Sequence, residues 1–223
     1  MYREPGRITV KVGYWLSRSA FSVWLKVLHG LKIYGREHVP GKGAFVCAAN
    51  HVSFADPPAV GVAAGRTPVI FMAKKALFDL KGWGWWFRWV GCIPIEGTNR
   101  DFKATKSAIK KLKDGDVVAI FPEGTRSSTG ELQEPELGIS FVAEKAGVPV
   151  VPMFVNGTNK ALARGKKYKI GVPVSVYVGK PVNFEGAEAI RDKRERYMFM
   201  GKRIMNAIAG LRAEAYAAEG KAS

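Results

Sequence analysis

At 223 residues, with 47% hydrophobic and 24% charged residues, the chain has the length and composition of one globular domain with a full core, which excludes a disordered chain. Its net charge of +16 requires an anionic partner: nucleic acid, an acidic membrane surface, or phosphorylated and acidic substrates. Two cysteines (Cys47 and Cys92) in apolar runs and three scattered histidines show no metal-ligand spacing, so free buried thiols, a reducing compartment and no metal site are expected.

In chain order, residues 8–30 place Val10, Tyr14, Trp15, Ala20, Phe21, Trp24, Leu25 and Leu28 among Lys11, Arg18 and Lys26. That pattern predicts one amphipathic helix or two short ones. Trp and basic side chains at helical spacing suit the lipid headgroup layer, and packing on the protein's own core is the alternative. No apolar stretch approaches the ~20 residues of a membrane span, so the chain is expected to lie on a membrane rather than cross it. Residues 1–30 are therefore set apart as a membrane-associating segment, with one α/β domain over 31–223. Leu31–Arg36 reads as an edge strand, Pro40–Gly43 as a turn and Ala44–Cys47 as a buried strand.

The stretch Ala48 to Pro58 then carries Asn50, His51 and Asp56 ahead of a helix opening on Pro57 and Pro58. In a continuous helix or strand, residues five apart point away from each other. Only a turn lets the Asp56 carboxylate reach the His51 ring, and the strand-to-helix pattern predicts that turn. A carboxylate on one ring nitrogen leaves the other as a base. The competing role for Asp56 is an N-cap of the following helix.

A strand is predicted at Pro68–Ala73, and then Gly82–Gly91 holds four Trp in seven positions. Half of that aromatic surface is assigned to the core and half to an apolar platform at a water–lipid boundary or along an alkyl chain. Cys92–Ile95 reads as a short strand. Asp101–Lys113 reads as a helix with Phe102, Ala104, Ile109 and Leu112 inward and five lysines outward. The buried strand Val117–Phe121 leads into Pro122 to Gly130, where Glu123, Gly124, Thr125 and Arg126 stand among small hydrogen-bonding residues. A guanidinium fork with hydroxyl and glycine N–H groups around it can cradle a phosphate. Pairing of Arg126 with Glu123 in an ordinary turn is the alternative.

Leu137–Ala146 is predicted helical with Gly147 as its cap. Val148–Val155 reads as a strand whose Pro149 and Pro152 place it at a sheet edge or a bulge. Ile170–Val178 supplies a last strand, and Ala187–Ala218 a helical tail with Met198, Ile204, Ala207, Ile208 and Leu211 inward. Strands alternating with helices predict a mostly parallel or mixed sheet sandwiched by helices.

Three blocks together resemble the glycerolipid acyltransferase family over about Lys32 to Val182. Asn50 to Asp56 is similar to its His-x4-Asp block, Phe121 to Ser127 to its Phe-Pro-Glu-Gly-Thr-Arg-Ser block, and Val148 to Pro152 to its Val-Pro-x-x-Pro block. The resemblance implies His51 as general base and Asp56 as its orienting partner. It also implies an acceptor site that includes Asn50, Glu123, Gly124, Thr125, Arg126 and Pro152. The family often has an Arg directly after the acidic residue of its strand-end block. Here Gly97 follows Glu96, so Arg100 is the substitute, with Lys74 and Lys75 as helpers. The implied partners are a lysophospholipid acceptor such as 1-acylglycerol 3-phosphate, an acyl-CoA or acyl carrier protein donor, and an anionic membrane surface, with no cofactor and no nucleic acid. The implied place is the cytoplasmic face of a bacterial inner membrane, as a peripheral or monotopic protein. Another lysolipid as acceptor, or a non-catalytic lipid-binding relative, is the alternative.

Overall fold

A continuous apolar run suits a strand covered by helices on both faces, and Phe45 to Ala49 is such a run. The computed structural model describes residues 6–66, 68–97, 101–162, 165 and 167–220. Its elements in chain order are α1 (Arg7–His29), β1 (Lys32–Tyr34), β2 (Val46–Ala49), α2 (Asp56–Ala64), β3 (Val69–Lys74), α3 (Gly84–Trp89), β4 (Ile93–Ile95), α4 (Phe102–Lys113), β5 (Val117–Ile120), α5 (Leu137–Ala146), β6 (Val150–Asn156), α6 (Thr158–Ala161), β7 (Ser175–Val178) and α7 (Lys193–Gly220).

Among the described residues, seven strands form one mixed sheet in the order β1-β7-β6-β2-β5-β3-β4. Only β6 and β7 pair antiparallel. Side chains alternate along each strand, so β2 sends Val46 and Ala48 into a core with α4, α5 and α7. Phe45, Cys47 and Ala49 enter a second core with α1 and α2. The sheet is therefore the middle layer of three, as the alternation of elements predicts.

Helix α1 is one unbroken helix, and it belongs to this packing. Val10, Tyr14 and Leu25 are buried, each contributing roughly 1.5–3 kcal/mol. The Tyr14 hydroxyl donates to Gly61 O in α2 at 3.3 Å. Gly13 admits the Trp89 ring of α3, which a Cβ there would approach to 2.7 Å. Trp86 Nε1 donates to Ser17 Oγ at 2.9 Å. The opposite side of the same helix leaves Ile8, Val12, Trp15, Leu16, Val23 and Val27 exposed, a second apolar stripe at helical spacing. Of the tryptophans near α3, Trp83 and Trp85 are exposed and Trp86 and Trp89 are half-buried, an even division of the aromatic cluster.

Several details differ from the sequence reading. Strand β6 lies inside the sheet rather than at its edge. Pro152 is tolerated there because it stands where the β6–β7 ladder ends; its carbonyl accepts Gly179 N–H at 2.9 Å, and the donor it lacks would point past Val178. Phe102 is 76% exposed because it opens α4 before the inward face begins, and Ala108 takes the buried position assigned to Ile109. Strand β7 starts only at Ser175, and the last helix begins at Lys193 after a 3-10 turn at Ala187–Ala189. In that helix Ile204, Ile208 and Leu211 are buried as expected. Tyr197, Met200 and Met205 join them, while Met198 and Ala207 are half-buried.

Candidate active site

Strands β6, β2 and β5 are parallel neighbours, so their carboxyl ends line up and the segments that follow them meet. The Asn50 side chain prolongs the β2–β6 pairing by one residue: Val155 N–H donates to its Oδ1 at 2.7 Å, and its Nδ2 donates to Val155 O at 3.1 Å. Pro152 lies opposite Ala48 in the same pair of strands. Both residues, assigned to an acceptor site from the sequence, are thus built into the sheet edge from which His51 emerges.

The turn expected between His51 and Asp56 is present. His51 Nδ1–H donates to Asp56 Oδ2 at 2.9 Å, and the Val52 and Ser53 amides donate to the same oxygen at 2.7 Å each. Thr158 Oγ1 donates to Asp56 Oδ1 at 2.6 Å. Asp56 is wholly buried, and these four donors are what its two oxygens can accept. The capping role is not adopted: Asp56 is the first residue of α2, and its carboxylate turns back to the turn rather than forward to the helix. With Nδ1 donating, His51 Nε2 carries the lone pair. The ring stacks on Phe121, centroids 4.0 Å apart and planes 16° apart, and its side chain stays 18% exposed, within reach of a substrate.

The segment after β5 is stitched to the same histidine. Glu123 Oε1 accepts His51 N–H at 3.1 Å, and Ser127 N–H donates to His51 O at 2.8 Å. Gln133 Nε2 donates to Glu123 Oε2 at 3.1 Å. Glu123 is therefore buried between two loops, while Gly124 and Thr125 beside it are exposed. The Arg126 guanidinium lies over the Phe54 ring, 3.7 Å from its centroid, and Phe54 belongs to the His51–Asp56 turn. The cation is held on the face of an exposed ring next to His51. Arg100 lies outside the described residues. Lys75, a proposed helper, pairs with Glu96 at 2.9 Å on the surface.

The geometry agrees with what the chain is similar to. A model of the Acyltransferase family matches residues 30–156. The 1-acyl-sn-glycerol-3-phosphate acyltransferase of Bacillus subtilis is 31% identical over 170 residues, 76% of this chain and 82% of that one. The chain belongs to the acyltransferase family. A Streptococcus pneumoniae protein of the same name is 31% identical over 154 residues, 67% of this chain and 57% of its own length. The crystal structure of the 1-acyl-sn-glycerophosphate (LPA) acyltransferase PlsC from Thermotoga maritima superposes with a TM-score of 0.71 at 26% identity, covering 92% of this chain and 79% of that one.

In this acyltransferase, burial pushes the Glu123 carboxyl up from its ordinary value, against the hydrogen bonds from His51 N–H and Gln133 that lower it. The folded state thus holds the Glu123 proton to higher pH than the unfolded chain does. Its contribution to stability is fully present at low pH and declines as pH rises through and above the usual carboxylate range. Glu123→Gln keeps an acceptor for His51 N–H and removes the buried charge. It should raise Tm relative to wild type at pH 8, with the gap closing toward pH 4. Melting curves against pH check this, and a wild-type advantage that grows with pH contradicts it.

Three contributors escape a reading by motif: Gln133, which orients Glu123; Phe54, which carries Arg126; and Thr158, which completes the Asp56 shell. Only Thr158 leaves a signal in the sequence, as a hydroxyl just past a strand predicted to be buried.

Proposed function

We propose that this acyltransferase moves a fatty acyl group from acyl-CoA or acyl carrier protein to the free hydroxyl of 1-acyl-sn-glycerol 3-phosphate, giving phosphatidic acid for phospholipid synthesis. The observation that carries the reading is a hydrogen-bonded His51–Asp56 pair with Arg126 held on the same turn. His51 Nε2 takes the acceptor's hydroxyl proton while that oxygen attacks the thioester carbonyl carbon. Collapse of the tetrahedral intermediate breaks the C–S bond. The new ester keeps the acyl group, and the proton passes from the imidazolium to the departing thiolate. Asp56 stabilises the imidazolium between these steps, so no acyl-enzyme is required. Arg126 binds the acceptor phosphate through its N–H edges while Phe54 supports its face. The relatives' names and the net charge of +16 support an anionic acceptor and an acidic donor.

The reaction is placed at a membrane surface, on the cytoplasmic face. Among the described residues no helix is long and apolar enough to cross a membrane. The α1 stripe with Trp83 and Trp85 offers an apolar surface suited to the headgroup boundary, and nearby basic side chains add attraction to anionic lipid. The test is product analysis on anionic vesicles carrying a labelled acyl thioester and a panel of lysolipids. Labelled phosphatidic acid, made by protein that sediments with the vesicles, is expected. Label in another lysolipid's product, or full activity from protein left in the supernatant, would overturn the corresponding part.

A further inference from the structure

The His51–Asp56 pair rests on a third segment that the motifs do not include. Strand β6 ends at Asn156, and Gly157 turns the chain with φ of +87°. A Cβ there would lie 2.0 Å from Pro173 O, so a side chain cannot be accommodated without moving the backbone. This turn delivers Thr158, which is fully buried, under the carboxylate of Asp56. The same short helix ends against the His51–Asp56 turn a second time, where Ser53 Oγ donates to Leu162 O at 2.8 Å and in turn accepts Ala55 N–H at 3.1 Å.

The donors are unequally divided. Oδ2 of Asp56 receives His51 Nδ1–H and two main-chain amides, whereas Thr158 is the hydrogen-bond donor found on Oδ1 among the described residues. Without that hydroxyl, Oδ1 would be a buried acceptor facing a methyl group. We infer that Thr158 is a positioning residue for acyl transfer: its hydroxyl fixes the rotation of the Asp56 carboxylate and shares its negative charge, so that Oδ2 stays in line with His51 Nδ1. Thr158 does not touch the reacting atoms and acts through Asp56. The other charged groups on the surrounding loops are Glu123 and Arg126. Neither is altered by a substitution at 158.

The inference rests on His51 acting as the base, and the experiment separates the two. Thr158→Val keeps the shape and removes the hydroxyl. With the acyltransferase on vesicles, T158V should lower kcat roughly tenfold, the order expected for one lost charge-assisted hydrogen bond behind a reacting group. KM for acceptor and donor should stay within about twofold, since binding is untouched. The field of the carboxylate would then fall more fully on the ring, favouring the imidazolium, so the acid limb of the kcat/KM profile should move to higher pH by roughly half a unit. T158S restores the hydroxyl and should recover most of kcat. In a D56N background, T158V should cost nothing further, because its effect passes through the carboxylate. Should T158V fold poorly, the comparison of T158S with T158A carries the same test. Wild-type kcat in T158V, a change confined to KM, or T158S as impaired as T158V would overturn the inference while an inactive H51A leaves the base intact. An active H51A would instead remove the reading on which it stands.

Discussion

His51→Ala should abolish nearly all acyl transfer, lowering kcat by about 10²- to 10⁴-fold, the range associated with loss of a positioned general base. The size follows from the lack of a substitute. Nδ1 of His51 is committed to Asp56, which leaves Nε2 as the basic atom, and no other histidine is in the turn. His29 is buried against Val172 O and Tyr168 at the end of α1, and His38 bonds Val178 O. The fold should survive, because the main-chain N–H and C=O of residue 51 that bond Glu123 and Ser127 remain. Stopped assays with Tm and vesicle sedimentation in parallel check this. Activity within a few-fold of wild type would mean that another group removes the proton.

Asp56→Asn should cost the second largest factor, about 10²-fold in kcat, near the lower end of that range. The amide oxygen can still accept the Val52, Ser53 and His51 donors while its NH₂ faces the Thr158 hydroxyl, which can rotate to accept. The ring therefore keeps its tautomer and loses only the charge that stabilises the imidazolium. For the same reason the acid limb of the pH profile should shift to lower pH, opposite to the shift expected for T158V. Stability should fall by ~1–3 kcal/mol, the scale of weakened buried hydrogen bonds. An unchanged pH profile would show that the carboxylate acts only as a structural support.

The chemistry of the site was legible wherever it depends on local pattern. A strand that must end, two prolines that must begin a helix, and a histidine and a carboxylate between them define a turn without any tertiary information. The same holds for the Leu137–Ala146 helix and the buried runs at β2, β5 and β6. What escaped was set by neighbours distant in sequence. Pro152 suggested an edge strand, yet an interior strand accepts it because its partner β7 stops at the right residue. Glu123 suggested a group facing ligand or Arg126, yet its oxygens take the His51 amide and Gln133. Asn50 suggested a substrate contact, yet its amide mimics a strand residue for Val155. Phe102 suggested a core position, since helical periodicity does not reveal that the first turn of α4 projects beyond its neighbours.

The central claim is that a guanidinium on the His51–Asp56 turn seats a phosphate so that the acceptor hydroxyl meets a base. Its most direct test compares kcat/KM for 1-acylglycerol 3-phosphate and for the same monoacylglycerol without phosphate, in wild type and in Arg126→Ala. The account predicts a preference of about 10²-fold or more for the phosphate in wild type, the scale of a charge-assisted bidentate contact, falling to near unity in the variant. A preference of wild-type size that persists without Arg126 would contradict it.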